Sequence, residues 1–209
     1  MSDEIELPVR VTIGEFDDRA VQRVSSALDK CVAVEQQFLP IQIMSPGGDV
    51  YAMFAIIDLI QHGPVPCATI AVGMAMSAGS VLLASGHKGL RFVGPNATVM
   101  VHEMMGGVPI SPIADLKGEV RLATDLNGRM LAHLDKSTGK RSGYWRTLLR
   151  KQESRDLNLT AQEAVAAGLA DHVGLPIVRL EQQAAVTLTL PETVEEQKKP
   201  APKKKASKR

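Results

Sequence analysis

The sequence predicts an α/β fold, because strand-like and helix-like segments alternate along its first 173 residues. The strand-like segments are short and apolar. Residues 67–72 (CATIAV) form a continuous apolar run, which is typical of a strand covered on both faces of a sheet. The helix-like segments repeat apolar side chains every three to four positions, as Ala20, Val24 and Leu28 do in the first of them.

Six segments have strand character. Residues 9–13 (VRVTI) alternate apolar and polar side chains, and residues 39–44 (LPIQIM) end at the turn sequence SPGG of residues 45–48. Two later runs are separated by the turn sequence Gly94-Pro95-Asn96. The predicted strands cover residues 9–13, 39–44, 67–72, 90–93, 97–101 and 169–173.

Six segments have helix character. Asp49 precedes the second of them and Thr160 the last, and both residue types cap helix N-termini. A stretch that begins at Gly73 leads into the third predicted helix, and Thr138-Gly139 ends the longest predicted helix, which covers residues 115–136. The predicted helices cover residues 18–38, 50–61, a stretch that ends at residue 83, 115–136, 144–151 and 161–167.

Length and charge indicate one domain with a basic tail. A chain of 209 residues is the size of one domain. Its net charge of +1 conceals an asymmetry, because residues 198–209 hold seven basic and no acidic residues. Residues 1–197 therefore hold 17 basic and 23 acidic residues, a net charge of −6, which argues against nucleic acid as a partner. We expect a domain over residues 1–176, an extension over residues 177–190 with an additional strand pair, and a disordered tail over residues 191–209.

Nothing in the sequence favours a membrane or a disulfide framework. The N-terminal stretch MSDEIELP is acidic and has no apolar run, so no signal peptide is visible. Residues 59–86 have no charged side chain over a length that could span a bilayer, but prolines and glycines divide them, and a buried strand, turn and helix is the better interpretation. With only Cys31 and Cys67, the chain is expected to be cytoplasmic.

Ser77 and His102 are the first two candidates for catalysis. Ser77 lies where the buried strand gives way to a helix, so free N–H groups of the helix N-terminus could stabilise an oxyanion formed by its attack. Alternatively, it is only a small residue that permits close packing. His102 ends an apolar strand and could act as a general base near neutral pH, or it could be a hydrogen-bonded structural histidine.

Two further features can be interpreted in more than one way. The Gly47-Gly48 pair exposes backbone N–H groups suited to an oxyanion hole or to an extended peptide, or it forms a plain turn. Asp156 could orient the histidine, or it could pair locally with Arg155. Spacing does not choose Asp156 over the other acidic candidates, which are Glu103, Asp135 and Asp171.

Three stretches of the sequence together resemble the ClpP family, the proteolytic subunit of the caseinolytic protease. They are IQIMSPGGDVYAMFAIIDLI, CATIAVGMAMSAGSVLLASGHKGLRFVGPNATVMVHE and RDLNLTAQEAVAAGLADHV, and the resemblance spans residues 9–173. It implies a ClpP/crotonase-type α/β fold of repeated β-β-α units with a protruding handle helix over residues 115–136. It also implies a serine endopeptidase with Ser77 as nucleophile, His102 as base and Asp156 as orienting acid. Gly48 and Ala78 match the oxyanion-hole donors.

The resemblance also implies partners. Substrates would be peptides or unfolded proteins that enter a chamber formed by stacked rings of identical subunits, and no metal or organic cofactor is implied. The family implies a Clp-type ATPase as well, but only eight residues precede Val9, where the family has its pore loops, and this weighs against that partner.

Several alternatives stay open on the sequence. A divergent or phage-type member could be a prohead maturation protease that works without an ATPase. A catalytically inert subunit could complete a ring or a scaffold. A crotonase-type acyl-CoA enzyme on the same fold would use the oxyanion hole without needing the Ser77 and His102 pair.

Overall fold

A seven-stranded sheet organises the protein in its computed structural model, which describes residues 8–105, 113–152 and 154–178. The strands are β1 (Val11–Ile13), β2 (Leu39–Ser45), β3 (Cys67–Met76), β4 (Arg91–Val93), β5 (Thr98–His102), β6 (Asp156–Leu159) and β7 (His172–Val173). The helices are α1 (Asp18–Ala33), α2 (Val50–His62), α3 (Ala78–Ser85), α4 (Ile113–Ser137), α5 (Tyr144–Lys151) and α6 (Ala161–Ala167). The structure thus has the α/β class that the alternating pattern predicts.

Strand β3 is the centre of the sheet. It pairs along its length with β2, in its first half with β4 and in its second half with β5. The strand order is β1-β2-β3-β4-β7, and β5 carries β6 as a further neighbour. All pairings are parallel except that of β5 with β6. Because β2, β3 and β5 are parallel, their carboxyl ends meet at one edge of the sheet, where ligands bind in open α/β sheets.

The core lies between this sheet and the helices that pack on it. Ile41 and Ile43 of β2 and Ala71 and Ala75 of β3 are fully buried, which explains why these strands are almost wholly apolar. Every residue of α3 is buried, including its serines and its glycine. The small side chains of Ala78, Gly79 and Ser80 let this helix pack closely against the sheet, where a Cβ on Gly79 would lie 3.3 Å from the Ser45 carbonyl oxygen.

Most predicted elements are confirmed, several with their ends. Residues 144–151 and 161–167 are helical over the predicted spans. The carboxylate of Asp49 caps α2 by accepting hydrogen bonds from two backbone N–H groups, and Thr160 caps α6 in a capping box with Glu163. The uncharged stretch over residues 59–86 divides into the end of α2, strand β3 and helix α3. Among the helices that the structure describes, none is long and apolar enough to span a membrane.

The four largest differences from the prediction concern α1, β3, β6 and β7. Helix α1 ends at Ala33 rather than at residue 38, because Glu35 takes a positive φ of 54° and the Gln36 side chain bonds to the backbone of Val9 instead. Strand β3 continues through Gly73 to Met76, β7 retains only two residues, and β6 was not predicted. Residues 179–209 are outside the described residues. They contain most of the predicted additional strand pair (residues 177–190) and all of the predicted tail (residues 191–209).

One buried ion pair joins the ends of three helices. The Arg91 guanidinium donates to the Asp171 carboxylate through both Nε and Nη2. Its Nη1 also donates to three carbonyl oxygens at helix C-termini, in α3 (Ala84), α4 (Ser137) and just after α6 (Gly168), at 2.9–3.3 Å. Partial burial raises the pKa of Asp171, but its hydrogen bonds with Arg91 and the Arg91 charge outweigh burial and hold the pKa below its ordinary value.

We predict that Asp171→Asn destabilises the fold by about 3 kcal/mol at pH 7, because it leaves the Arg91 charge buried without its counter-ion. A lowered folded-state pKa means that the stability contributed by Asp171 is complete above the unfolded pKa of about 3.9 and is lost as pH falls through the folded value. Urea unfolding of both proteins should therefore show a constant difference from pH 7 to 5 that shrinks below about pH 4. Asp29→Asn, on the exposed face of α1, is the control and should change stability by less than about 0.5 kcal/mol. An equal effect of the two substitutions would contradict the role of the ion pair.

Candidate active site

Ser77 occupies a strained turn between β3 and α3. Its backbone has φ 53° and ψ −120°, which is a rarely adopted conformation for a residue with a side chain. The Ser77 N–H donates to the Met100 carbonyl of β5, and the Ser77 carbonyl accepts hydrogen bonds from the backbone and hydroxyl of Ser80. The Ser77 hydroxyl makes no capping bond to α3. The turn therefore holds the backbone rigidly while its Oγ stays available.

The Gly47-Gly48 turn lies directly against Ser77. Both glycines have positive φ, 119° and 146°. A Cβ on Gly47 would lie 2.8 Å from the Ser77 Cβ, and one on Gly48 would lie 2.7 Å from the Phe16 backbone. Ser45 Oγ accepts from the Gly47 N–H and ties the turn to the end of β2. Glycine is therefore required at both positions, for conformation and for space.

Two backbone N–H groups beside Ser77 donate no hydrogen bond to any of the described residues. The Gly48 N–H donates to none of those residues, although the neighbouring Gly47 carbonyl and Asp49 N–H both bond to Phe16. The Ala78 N–H is the first of α3, a position that has no intrahelical partner. These are the two donors that the sequence comparison with the ClpP family assigned to an oxyanion hole.

His102 ends β5 with its ring almost fully enclosed. It is 7% exposed, and its Nε2 has no hydrogen-bond partner among the described residues. Its Nδ1 lies 3.8 Å from Asp156 Oδ1, which is too long for a hydrogen bond. Asp156 is half exposed. Antiparallel pairing of β5 with β6 sets His102 directly opposite Asp156, so the approach of the two side chains follows from the strand register.

The structure separates Asp156 from the other acidic candidates. Asp135 accepts hydrogen bonds from the backbone N–H groups of Gly143 and Trp145 and so holds the start of α5. Asp171 is engaged by Arg91. Glu103 is exposed and follows His102 along the chain. Among these four carboxylates, Asp156 is the one that faces the His102 ring.

A cavity of about 420 Å³ brings these groups together. Ser77, Ala78, His102 and Gly48 all contribute to its wall, and methionine residues of α2, β5 and α4 and of residues 104–105 form much of the rest. The full lining consists of Pro46, Gly48, Asp49, Val50, Met53, Ser77, Ala78, Met100, His102, Met104, Met105 and Met130. A peptide bond bound here would have a hydroxyl, an imidazole nitrogen and two backbone donors within one enclosure.

Sequence reasoning missed three contributors to this site. Strand β6 was not predicted, although the alternation in residues 156–159 (DLNL) is the signal for it. The Met100 carbonyl, which holds the Ser77 N–H, carries no signal in the sequence. The methionines that line the cavity come from separate elements and are adjacent only after folding.

The remaining histidines lie away from the cavity lining. His87 Nδ1 accepts the Cys67 N–H. His133 of α4 is half-buried, and its Nε2 contacts the hydroxyls of Ser85 and Ser137. Burial lowers the pKa of His133, and the nearby charge of Lys136 lowers it further. These contacts give both residues a packing role.

A family model described as Clp protease matches residues 12–176 of the chain. The matched stretch contains every residue of the cavity lining as well as Asp156.

We predict that Gly47→Ala blocks the chemistry of Ser77. The new methyl group would meet the Ser77 side chain at 2.8 Å, and misplacement of a reacting atom by about 1 Å costs on the order of a hundred-fold in rate. The measurement is the rate at which a fluorophosphonate probe labels Ser77. Gly89→Ala is the matched control, since Gly89 also has a positive φ (86°) but its Cβ would have nothing within 4 Å. Equal labelling rates in the two variants would contradict the proposed contact.

Proposed function

Because the chain belongs to the Clp protease family, whose members are peptidases, we propose that it is a serine endopeptidase with Ser77 as nucleophile. One observation carries the proposal. A serine on a strained strand-to-helix turn shares a cavity with a buried imidazole nitrogen that has no partner among the described residues. Leaving a buried polar atom unsatisfied costs about 1–3 kcal/mol, and a substrate or a proton from Ser77 would satisfy it.

In the proposed acylation step, Ser77 Oγ attacks the carbonyl carbon of the scissile bond and its proton passes to His102 Nε2. The negative charge that forms on the carbonyl oxygen is stabilised by the N–H groups of Gly48 and Ala78. Collapse of the tetrahedral intermediate breaks the C–N bond, and the leaving amine takes the proton from His102. Water then hydrolyses the acyl-enzyme with the same imidazole as base, which regenerates the Ser77 hydroxyl.

Asp156 is proposed to orient His102 and to stabilise its imidazolium form. For this it must accept a hydrogen bond from Nδ1, which requires the separation of 3.8 Å to shorten. Catalytic hydrogen bonds are commonly long in a free enzyme and tighten when the substrate binds. The half-exposed Asp156 side chain has room for that movement.

Serine is favoured over cysteine as the nucleophile. Both cysteines are buried, and neither lines the cavity. Burial and the neighbouring Cys31 raise the pKa of Cys67 to about 12, so its reactive thiolate is scarce at neutral pH.

We further propose that the sites face a chamber enclosed by stacked rings of this chain and act on peptides or unfolded proteins. The exposed apolar side chains of Val120 and Leu122 on α4 support an assembly, because they are about half exposed on a long helix.

A Clp-type ATPase is a further proposed partner. Peptide cleavage in the absence of any ATPase would identify an independent peptidase.

An inert ring or scaffold subunit is the second candidate. The long distance between His102 and Asp156 favours it, since a histidine that is not oriented is a poor base.

We predict that a fluorophosphonate adds once to the wild-type chain and does not add to Ser77→Ala, as measured by intact mass. An activated serine is the chemical group that this probe requires. Ser26→Ala, on the exposed side of α1, is the control and should label like the wild type. Absence of the adduct on folded, assembled protein would contradict the serine peptidase and favour the inert subunit.

We also predict a graded loss of peptide cleavage. Both substitutions should lower kcat strongly. The kcat of Asp156→Ala should stay about ten- to a hundred-fold above that of His102→Ala, because the carboxylate acts only through the imidazole. Steady-state kinetics on a fluorogenic peptide measure both. Full activity of Asp156→Ala would show that Asp156 does not orient His102.

A further inference from the structure

The cavity beside Ser77 carries an isolated negative charge. Among the described residues that line it, Asp49 is the one with a formal charge when His102 is neutral, and neither lysine nor arginine is present. A cleft lined by one sign of charge attracts the opposite sign.

The position of Asp49 is fixed by the start of α2. Its Oδ1 accepts hydrogen bonds of 2.8 Å from the N–H groups of both Tyr51 and Ala52. Its Oδ2 has no hydrogen bond or ion pair with any described residue. Because Asp49 directly follows Gly48 and lines the same cavity, a substrate whose carbonyl oxygen reaches the Gly48 N–H lies next to this residue. One oxygen thus anchors the side chain, and the other is free to bind a cation.

The rest of the cavity suits an unbranched apolar chain. Five methionines contribute to its wall, of which Met53 and Met130 are almost fully buried. Methionine side chains are flexible and adapt to long, narrow groups. A side chain with an apolar stem and a cationic end, such as that of lysine, would place its stem against the thioethers and its charge near Asp49.

We infer that Asp49 is a specificity residue that favours substrates with a basic side chain next to the scissile bond. This inference rests on the proposed peptidase function, since it concerns the same cavity. The free Oδ2 of Asp49 pairs with the ammonium or guanidinium group, while the methionine wall holds its aliphatic stem. Acidic substrates are disfavoured by the same charge.

The experiment compares lysine with norleucine, which has the same unbranched stem without the ammonium group. The fluorogenic peptides are made in pairs that differ only in having lysine or norleucine at one position. That position is, in turn, the second residue before the scissile bond, the first residue before it and the first residue after it. The variant is Asp49→Asn, which removes the charge while an asparagine still caps the helix. Thermal unfolding verifies that the cap is retained.

We expect wild-type enzyme to prefer lysine over norleucine in kcat/KM at one of these positions. The preference should fall about two- to five-fold in Asp49→Asn, the size expected for an exposed ion pair. It should also decrease in the wild type as salt is raised, because salt screens exposed charges. Ratios that are the same in wild type and variant at every position would overturn the inference.

A binding measurement separates this inference from the proposed function. Fluorescence anisotropy gives the affinity of the lysine and norleucine peptides for Ser77→Ala and for the Ser77→Ala, Asp49→Asn double variant. If Ser77→Ala binds the lysine peptide more tightly and the added Asp49→Asn substitution removes that preference, the charge pairing is supported, even where the wild type cleaves no peptide. If Ser77→Ala shows no lysine preference, the pairing is overturned, even where Ser77 of the wild type reacts with a fluorophosphonate.

Discussion

The Arg91 guanidinium binds the carboxyl ends of three helices and one carboxylate, and much of the fold is positioned by these contacts. It lies on β4, which pairs with the central strand β3, and helix C-termini carry partial negative charge that a cation stabilises. All three helices reach the candidate site, where α4 contributes Met130 to the cavity wall. Helix α3 begins directly after Ser77, and α6 follows the strand that carries Asp156. The ion pair with Asp171 therefore holds, from the opposite ends of these helices, the elements that present Ser77 and Asp156.

The site itself combines strain with close approach. Ser77 adopts a backbone conformation that costs of the order of 1–3 kcal/mol, and the surrounding contacts maintain it. The Met100 carbonyl holds its N–H, Ser80 holds its carbonyl, and the glycine turn lies against its side chain. These contacts hold the Ser77 backbone from three sides, and with it the position of the Ala78 N–H that follows. Such preorganisation is the usual origin of oxyanion stabilisation.

The charges of the site are divided between two carboxylates with different surroundings. Asp156 lies opposite His102 across the paired strands β5 and β6, and its Oδ1 is 3.8 Å from His102 Nδ1. Asp49 is held at the start of α2 by backbone N–H groups, with one oxygen directed to no described residue. In the proposed peptidase, the first arrangement would serve the reaction and the second, as we infer, the choice of substrate. In both cases a backbone feature, a strand register or a helix terminus, sets where the charge is placed.

Sequence patterns alone predicted the α/β class, most helices and strands, and the caps at Asp49 and Thr160, because these depend on neighbours within a few residues. Motif resemblance to the ClpP family assigned roles to Ser77, His102 and Asp156, and composition or spacing alone left each of them open. Only the tertiary structure separated Asp156 from Asp135 and Asp171, because that choice depends on the β5–β6 register and on partners eight or more residues away. It also decided which methionines share a cavity with Asp49, since these residues come from separate elements whose contacts form only when the sheet and helices pack together.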